Sequence, residues 1–246
     1  MIAKLKVLAL ALAAACGVFA AEWPNGAKCA VTYTFDDGLL DQYAVAYPIL
    51  KAAGLKATFF VIAGKVGDPK GYRSKAERNT PLMTWENVKE MADGGMEIGS
   101  HSFSDVKAAR TNREDYLADL VKAKAFTEEK VGGPCVSFAA PFNAKKTADG
   151  ASVEEIAKEA GFKAMRMKQK GAGGAMTAEK MNALVENAKK KGEWLVFMTH
   201  GMNRGYDAWQ NSDEFRKHIE WVAAQKDVAV MTFGDAAKRL ERTADE

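Results

Sequence analysis

The chain has 246 residues, 48% of them hydrophobic and 27% charged, enough for one sizeable core or at most two small ones. Lysine and arginine outnumber the acids by 35 to 32, but they are scattered, and no basic stripe suggests nucleic acid. No heptad or long internal repeat is visible, which leaves out coiled coils and solenoids.

The first 21 residues differ from the rest. Lys4 and Lys6 precede the apolar run "VLALALAAACGVFA", and Val18 and Ala20 fit a small-x-small cleavage site before Ala21. The stretch is too short and too rich in alanine for a membrane span. We therefore expect a secretory signal over residues 1–21 and a single exported domain over 22–246, secreted or periplasmic. Removing residues 1–20 takes away two lysines and no acids, so the mature charge is 33 − 32 = +1. A lipoprotein signal ending at Cys16 is the weaker alternative, and a retained N-terminal helix weaker still. Cys29 and Cys135 remain in the mature chain. Export permits a disulfide between them, and two buried free thiols fit the sequence equally well.

Strand-like and helix-like runs then alternate. The strand candidates are "CAVTYTF" (29–35), "KATFFVIA" (56–63), "MEIGS" (96–100), "CVSFAA" (135–140), "FKAMRM" (162–167), "WLVFMT" (194–199) and "VAVMTF" (228–233). Several are almost wholly apolar, as strands covered on both faces are. Between them lie helical runs with readable ends. One stops at Gly54, one runs from Thr84 to Gly94, a long one ends at Gly132, and one opens on the Ser152/Glu155 capping pair. A further helix runs from Thr177 to Gly192, and two more follow near 212–225 and 234–241. Seven strands each followed by a helix predict a parallel sheet, as a barrel or a doubly wound layer. No GxGxxG follows the first strand, so a dinucleotide fold has no positive support.

Polar residues gather at the ends of these strands. Asp36 and Asp37 end the first, His101 the third, Pro141, Phe142 and Asn143 the fourth, and His200 the sixth, while Arg166 lies near the end of the fifth. In a parallel barrel these ends share one rim, where substrates bind. His101 and Asp105 are four apart and, with Asp37, supply an imidazole and two carboxylates, enough for a divalent cation with open positions for water. The oxygen-rich set suits zinc and also more oxygen-loving metals. A cation on Asp37 would relieve its repulsion with Asp36, leaving Asp36 as a general base and His200, across the rim, as a general acid. Taken singly, each residue has a plainer reading. Adjacent aspartates before a glycine are commonly a turn, and Asp105 alone is commonly a cap.

The motifs "TFDDG", "HSFSD", "APFN" and "MTHG", in that order and spacing, resemble those of the polysaccharide deacetylase family, the NodB-homology group or carbohydrate esterase family four. The likeness runs over about residues 28 to 240. It implies a distorted (β/α) barrel with about seven parallel strands. It also implies metal-dependent removal of acetyl groups from N- or O-acetylated carbohydrate. Carried onto this chain, the resemblance makes Asp36 the base and Asp37, His101 and Asp105 the metal ligands. Zinc is the foremost metal, with cobalt, nickel and manganese as alternatives. The Phe142 N–H becomes an oxyanion donor and His200 the acid.

Two departures stand out: the family's second histidine is replaced by Asp105, and the arginine that orients the base is replaced by Ala139. Arg166, one strand on, could reach across and pair with Asp36, and an exposed arginine at a strand end fits the sequence equally well. An aspartate-tryptophan motif that tunes the acid histidine in the family has no counterpart in "MKQKGAGGAM".

Around the rim, Pro141, Phe142, Tyr206 and Trp209 are candidate substrate contacts, the last two by stacking on a sugar ring. Trp209 could equally anchor its loop to the core. Tyr72 and Arg73 lie in a long loop after the second strand. His218, mid-helix among charged neighbours, is expected on the surface. Alternatives to the deacetylase reading are a catalytically silent glycan-binding relative and an amidase acting on a small amide. The partner expected is an acetylated glycan, with no nucleic acid and no membrane span.

Overall fold

The computed structural model describes residues 22–71, 80–167, 169–172, 176–203, 209 and 211–245. The leader-like segment with Cys16, Tyr72, Arg73 and Tyr206 lie outside the described residues.

The long apolar runs become a parallel sheet: β1 (Cys29–Asp37), β2 (Thr58–Val61), β3 (Glu97–Ser100), β4 (Ser137–Phe138), β5 (Ala164–Met165), β6 (Lys170–Gly171), β7 (Trp194–Thr199) and β8 (Val228–Val230). The order is β5-β4-β3-β2-β1-β7-β6, and β8 pairs with the start of β1. Each named pairing is parallel. The seven expected strands form, and the sheet curls into an incomplete barrel wrapped by helices. Strands β4 and β5 are shorter than their apolar runs. The two-residue β6 was not expected, because a segment that short carries no periodicity.

The helices are α1 (Tyr47–Ala52, entered through a π-helical turn at Gln42–Ala46), α2 (Trp85–Asp93), α3 (Arg113–Val131), α4 (Val153–Glu159), α5 (Ala178–Lys191), α6 (Ser212–Ala223) and α7 (Phe233–Asp245). Their ends follow side-chain chemistry. Thr84, Asn112, Ser152 and Thr177 each accept a bond from a main-chain N–H three residues on, which satisfies a donor that the helix cannot. Gly132 and Gly192 stop α3 and α5 in the left-handed conformation at φ 70°.

Strand β1 is buried along its whole length, and β2, β7 and β8 all pair with it. The core on its outer face stacks Tyr33 on Phe197 and Phe35 on Phe59, with Phe215 of α6 edge-on to both Tyr33 and Phe35. His218 belongs to this core, contrary to the expectation that it is exposed: it is fully buried. Tyr33 Oη donates to its Nε2 (2.7 Å), and its Nδ1 donates to Asn182 Oδ1 (2.6 Å). The flanking charges Lys217 and Glu214 pair with each other on the solvent side, so the charged neighbours describe the helix's other face. Cys29 and Cys135 are both buried and free, and burial pushes their thiols up to about 11 and about 12.

Candidate active site

The rim is where the backbone is strained. The non-glycine residues with positive φ among those described are Asn25, Asp37, Ser102, Asp105, Phe142, Asn143 and Asn203. All but Asn25 lie at or after the C-terminal ends of β1, β3, β4 and β7. Such conformations cluster where a fold holds functional groups in place. In the "DDG" turn, Asp37 (φ 74°) and Gly38 (φ 77°) are both left-handed. The turn sends the two carboxylates of adjacent residues to different partners.

Asp36 turns to Arg166. The guanidinium makes a two-pronged bond, Nη1 to Oδ1 at 2.6 Å and Nη2 to Oδ2 at 2.5 Å, and Nη1 also donates to Thr34 Oγ1 at 2.9 Å. Both side chains are almost wholly buried. The guanidinium lies 5.0 Å from the centre of the Phe60 ring. Gly99 leaves the space for that ring, since a Cβ there would stand 2.6 Å from it. Burial resists ionisation of Asp36, but the charge of Arg166, helped by His101, by the bonds to Arg166 and by His200, outweighs it. The carboxyl is held down to about 2. Arg166 thus reaches Asp36 from the residue after β5, while the residue after β4 is the buried Ala139.

Asp37 turns to His101. His101 Nε2 lies 3.5 Å from Asp37 Oδ1, and Nδ1 lies 2.8 Å from the Ala139 carbonyl. A carbonyl only accepts, so Nδ1 carries the hydrogen and the Nε2 lone pair faces the carboxylate. Burial lowers the affinity of His101 for a proton, although Asp36 and Asp105 draw it the other way. A neutral imidazole and a carboxylate facing each other at this distance match two corners of a divalent-cation site. Asp105 does not complete it. Its Oδ2 accepts from Lys65 Nζ at 3.0 Å, and among the described residues no three carboxylate, imidazole or thiolate groups converge on one point. Of the three expected ligands, Asp37 and His101 face each other, whereas Asp105 meets Lys65.

One residue at the centre carried no signal in the sequence. Gln42, fully buried in the π-helical turn, donates through its single amide nitrogen to the main-chain carbonyls of Asp36 and of His200, both at 2.5 Å. The ladder between β1 and β7 pairs residues only as far as Phe35 and Thr199. Gln42 ties the next residue of each strand, and these are the candidate base and the candidate acid. A glutamine six residues after "DD" fits a helix start as well as anything else, so only the fold reveals its role. His200 lies at the same rim and is close enough for its charge to act on both Asp36 and His101.

The proposed substrate contacts divide. Pro141 is buried, whereas Phe142 is exposed at 57% and sits at φ 58°, with Lys107 Nζ 4.7 Å from its ring centre. Trp209 is not a stacking platform: it is buried, edge-on to Phe215 with centroids 4.3 Å apart. Its ring belongs to the buried core around Phe215 and His218.

The polysaccharide deacetylase family model matches residues 24–165, more than half of the chain and every rim segment from β1 to β5. The chain belongs to the polysaccharide deacetylase family. It is 31% identical over 142 residues to the peptidoglycan-N-acetylglucosamine deacetylase of Bacillus cereus, a match covering 57% of each chain. The Bacillus subtilis protein YxkH is 34% identical over 97 residues, 39% of this chain and 30% of its own. This chain thus spans less than two thirds of the curated relatives it matches. The solved structure of a Mycobacterium smegmatis protein classed with the polysaccharide deacetylases superposes with a TM-score of 0.70 at 17% identity, covering 90% of this chain and 93% of that one. A family 4 acetyl xylan esterase from Clostridium thermocellum, solved with a cobalt ion, gives 0.57 at 18%, covering 87% and 92%. These two likenesses establish the distorted (β/α) barrel fold.

Proposed function

We propose that this polysaccharide deacetylase family member is an exported hydrolase that removes acetyl groups from N- or O-acetylated carbohydrate with the help of a divalent cation. The observation that carries the reading is the buried Arg166–Asp36 pair placed beside the Asp37–His101 pair. One carboxylate of the "DD" step is kept ionised, and the other faces a neutral imidazole.

Asp37 and His101 would hold the cation. When bound there, it would acidify a water molecule and polarise the acetyl carbonyl. Asp36 takes the proton from the attacking water. Arg166 occupies one lone pair on each of its oxygens and leaves others open. A carboxylate held this low is a weak base, so its work is to orient water and receive a proton transiently. The Phe142 N–H, on the strained turn Pro141–Asn143, supports the oxyanion. His200 hands a proton to the departing sugar nitrogen or oxygen, and acetate leaves. The cobalt ion in the xylan esterase and the activity in the name of the Bacillus cereus relative support the same direction.

The test is acetate release from a panel of N- and O-acetylated glycans, with metal content measured on the same preparation. The reading expects acetate from at least one glycan, lost on chelation and restored by zinc or cobalt. Binding of glycan and metal without acetate from any substrate would instead identify a silent binding relative.

A further inference from the structure

By the resemblance, Asp105 stands in the position of the family's second histidine, and in this fold it meets Lys65. Lys65 and Asp105 are not two surface residues that happen to meet. The turn after β2 is laced to the loop after β3 by two main-chain bonds, Ala63 N–H to Ser102 O (3.1 Å) and Gly64 N–H to Phe103 O (2.8 Å). The segments lie so close that a Cβ on Gly64 would stand 2.7 Å from Phe103. Lys65 follows directly, its own N–H bonded to Ile62 O at 2.9 Å. The left-handed backbone of Asp105 (φ 61°) sets the direction in which its side chain leaves the loop. The two side chains meet at 3.0 Å and are only partly exposed, 32% for Lys65 and 13% for Asp105, so the pair is incompletely screened by water.

We infer that Lys65 withholds Asp105 from the cation site, so that, among the described residues, the cation is held by Asp37 and His101 alone and therefore weakly. This rests on the metal reading above. A carboxylate oxygen engaged by an ammonium is a poorer donor to a second cation, and the two positive charges repel across it. The lysine also neutralises the extra negative charge that aspartate brings in place of a neutral imidazole. The Lys65–Asp105 unit is therefore matched in charge to the histidine it replaces, without being matched as a ligand.

A double-mutant cycle tests this, read by calorimetric titration with Zn²⁺ and by the visible absorption of bound Co²⁺ rather than by activity. Asp105→Asn should change wild-type affinity by less than about 3-fold, whereas Asp37→Asn or His101→Ala should weaken it by about 100-fold. Lys65→Met should tighten binding by about 10-fold and strengthen the Co²⁺ spectrum, and adding Asp105→Asn to Lys65→Met should erase that gain. If the gain survives in the double variant, Lys65 acts only by charge repulsion, and the inference is overturned. It is also overturned if Asp105→Asn alone weakens binding as much as Asp37→Asn or His101→Ala does, the behaviour of a true ligand. Wild-type protein that takes up neither metal would sink the metal reading itself. Binding that fails only in the pattern of the cycle would sink this inference and leave that reading standing.

Discussion

The charge at the centre of the site is set by one arginine. Arg166 holds Asp36 ionised inside the barrel, where both side chains are almost wholly buried. Removing one partner of such a pair leaves a buried charge uncompensated. Arg166→Met should therefore cost about 3–5 kcal/mol in denaturant unfolding, as well as most of the turnover. Arg166→Met with stability and turnover unchanged would show that the pair has no role. Gln42 makes a subtler contribution, because its amide fixes the carbonyls of both Asp36 and His200. Gln42→Leu removes both bonds at similar volume. We expect a loss of about 1–3 kcal/mol in stability, with kcat falling and KM little changed, since no substrate contact is lost. A rise in KM alone would contradict a role in aligning base and acid.

At the scale of elements, α6 is fastened to β1 and α5 through a neutral imidazole. His218 accepts from Tyr33 and donates to Asn182. Burial lowers its pKa to about 3 from 6.5, and raises that of Tyr33 well above its usual value, so the bond joins two uncharged groups. The unfolded chain binds a proton at this residue below pH 6.5 and the folded chain does not. Stability is therefore fully present above that pH and is lost as the pH falls toward 3. From this residue alone, unfolding free energy should be about 2 kcal/mol lower at pH 5 than at pH 8. His101, also lowered by burial, acts in the same sense. His218→Gln should flatten the slope of urea midpoint against pH between those values, and an unaltered slope would show that His218 does not titrate as described.

This helix also marks a boundary of what sequence can tell. Strands and helices were legible because their apolar periods are strong and their caps are local. "WLVFMT" and "CAVTYTF" read as covered strands from their apolar runs, and Thr84, Ser152 and Thr177 meet donors three residues away. His218 was misread because its charged sequence neighbours lie on the opposite helix face, while its partners are 36 and 185 residues away.

Across the whole molecule, the curled sheet brings the ends of β1, β3, β4, β5 and β7 to one rim, and the site is assembled from all five. The gathering of Asp36, Asp37, His101 and His200 was readable because a parallel barrel puts every strand end on one side. The pairing of Arg166 with Asp36 was readable because a lone charge in "AMRM" needs a partner. The engagement of Asp105 by Lys65 was not, since it depends on two loops approaching through their backbones. Nor was the tie from Gln42, which joins two strands at the one place where their ladder stops.

Chelation should abolish acetate release while leaving the circular dichroism spectrum unchanged, because the barrel is held by apolar packing and main-chain ladders around β1. Loss of the fold on chelation would mean that the cation has a structural role instead. The central claim, that Asp36 works on the substrate side while Asp37 and His101 face the cation, is met most directly by Asp36→Asn. The variant is to be compared with wild type for metal content and for acetate release under the same conditions. The account predicts that metal content stays at the wild-type level while turnover falls by about 100-fold or more. Turnover within twofold of wild type, about 0.4 kcal/mol in barrier, would contradict it.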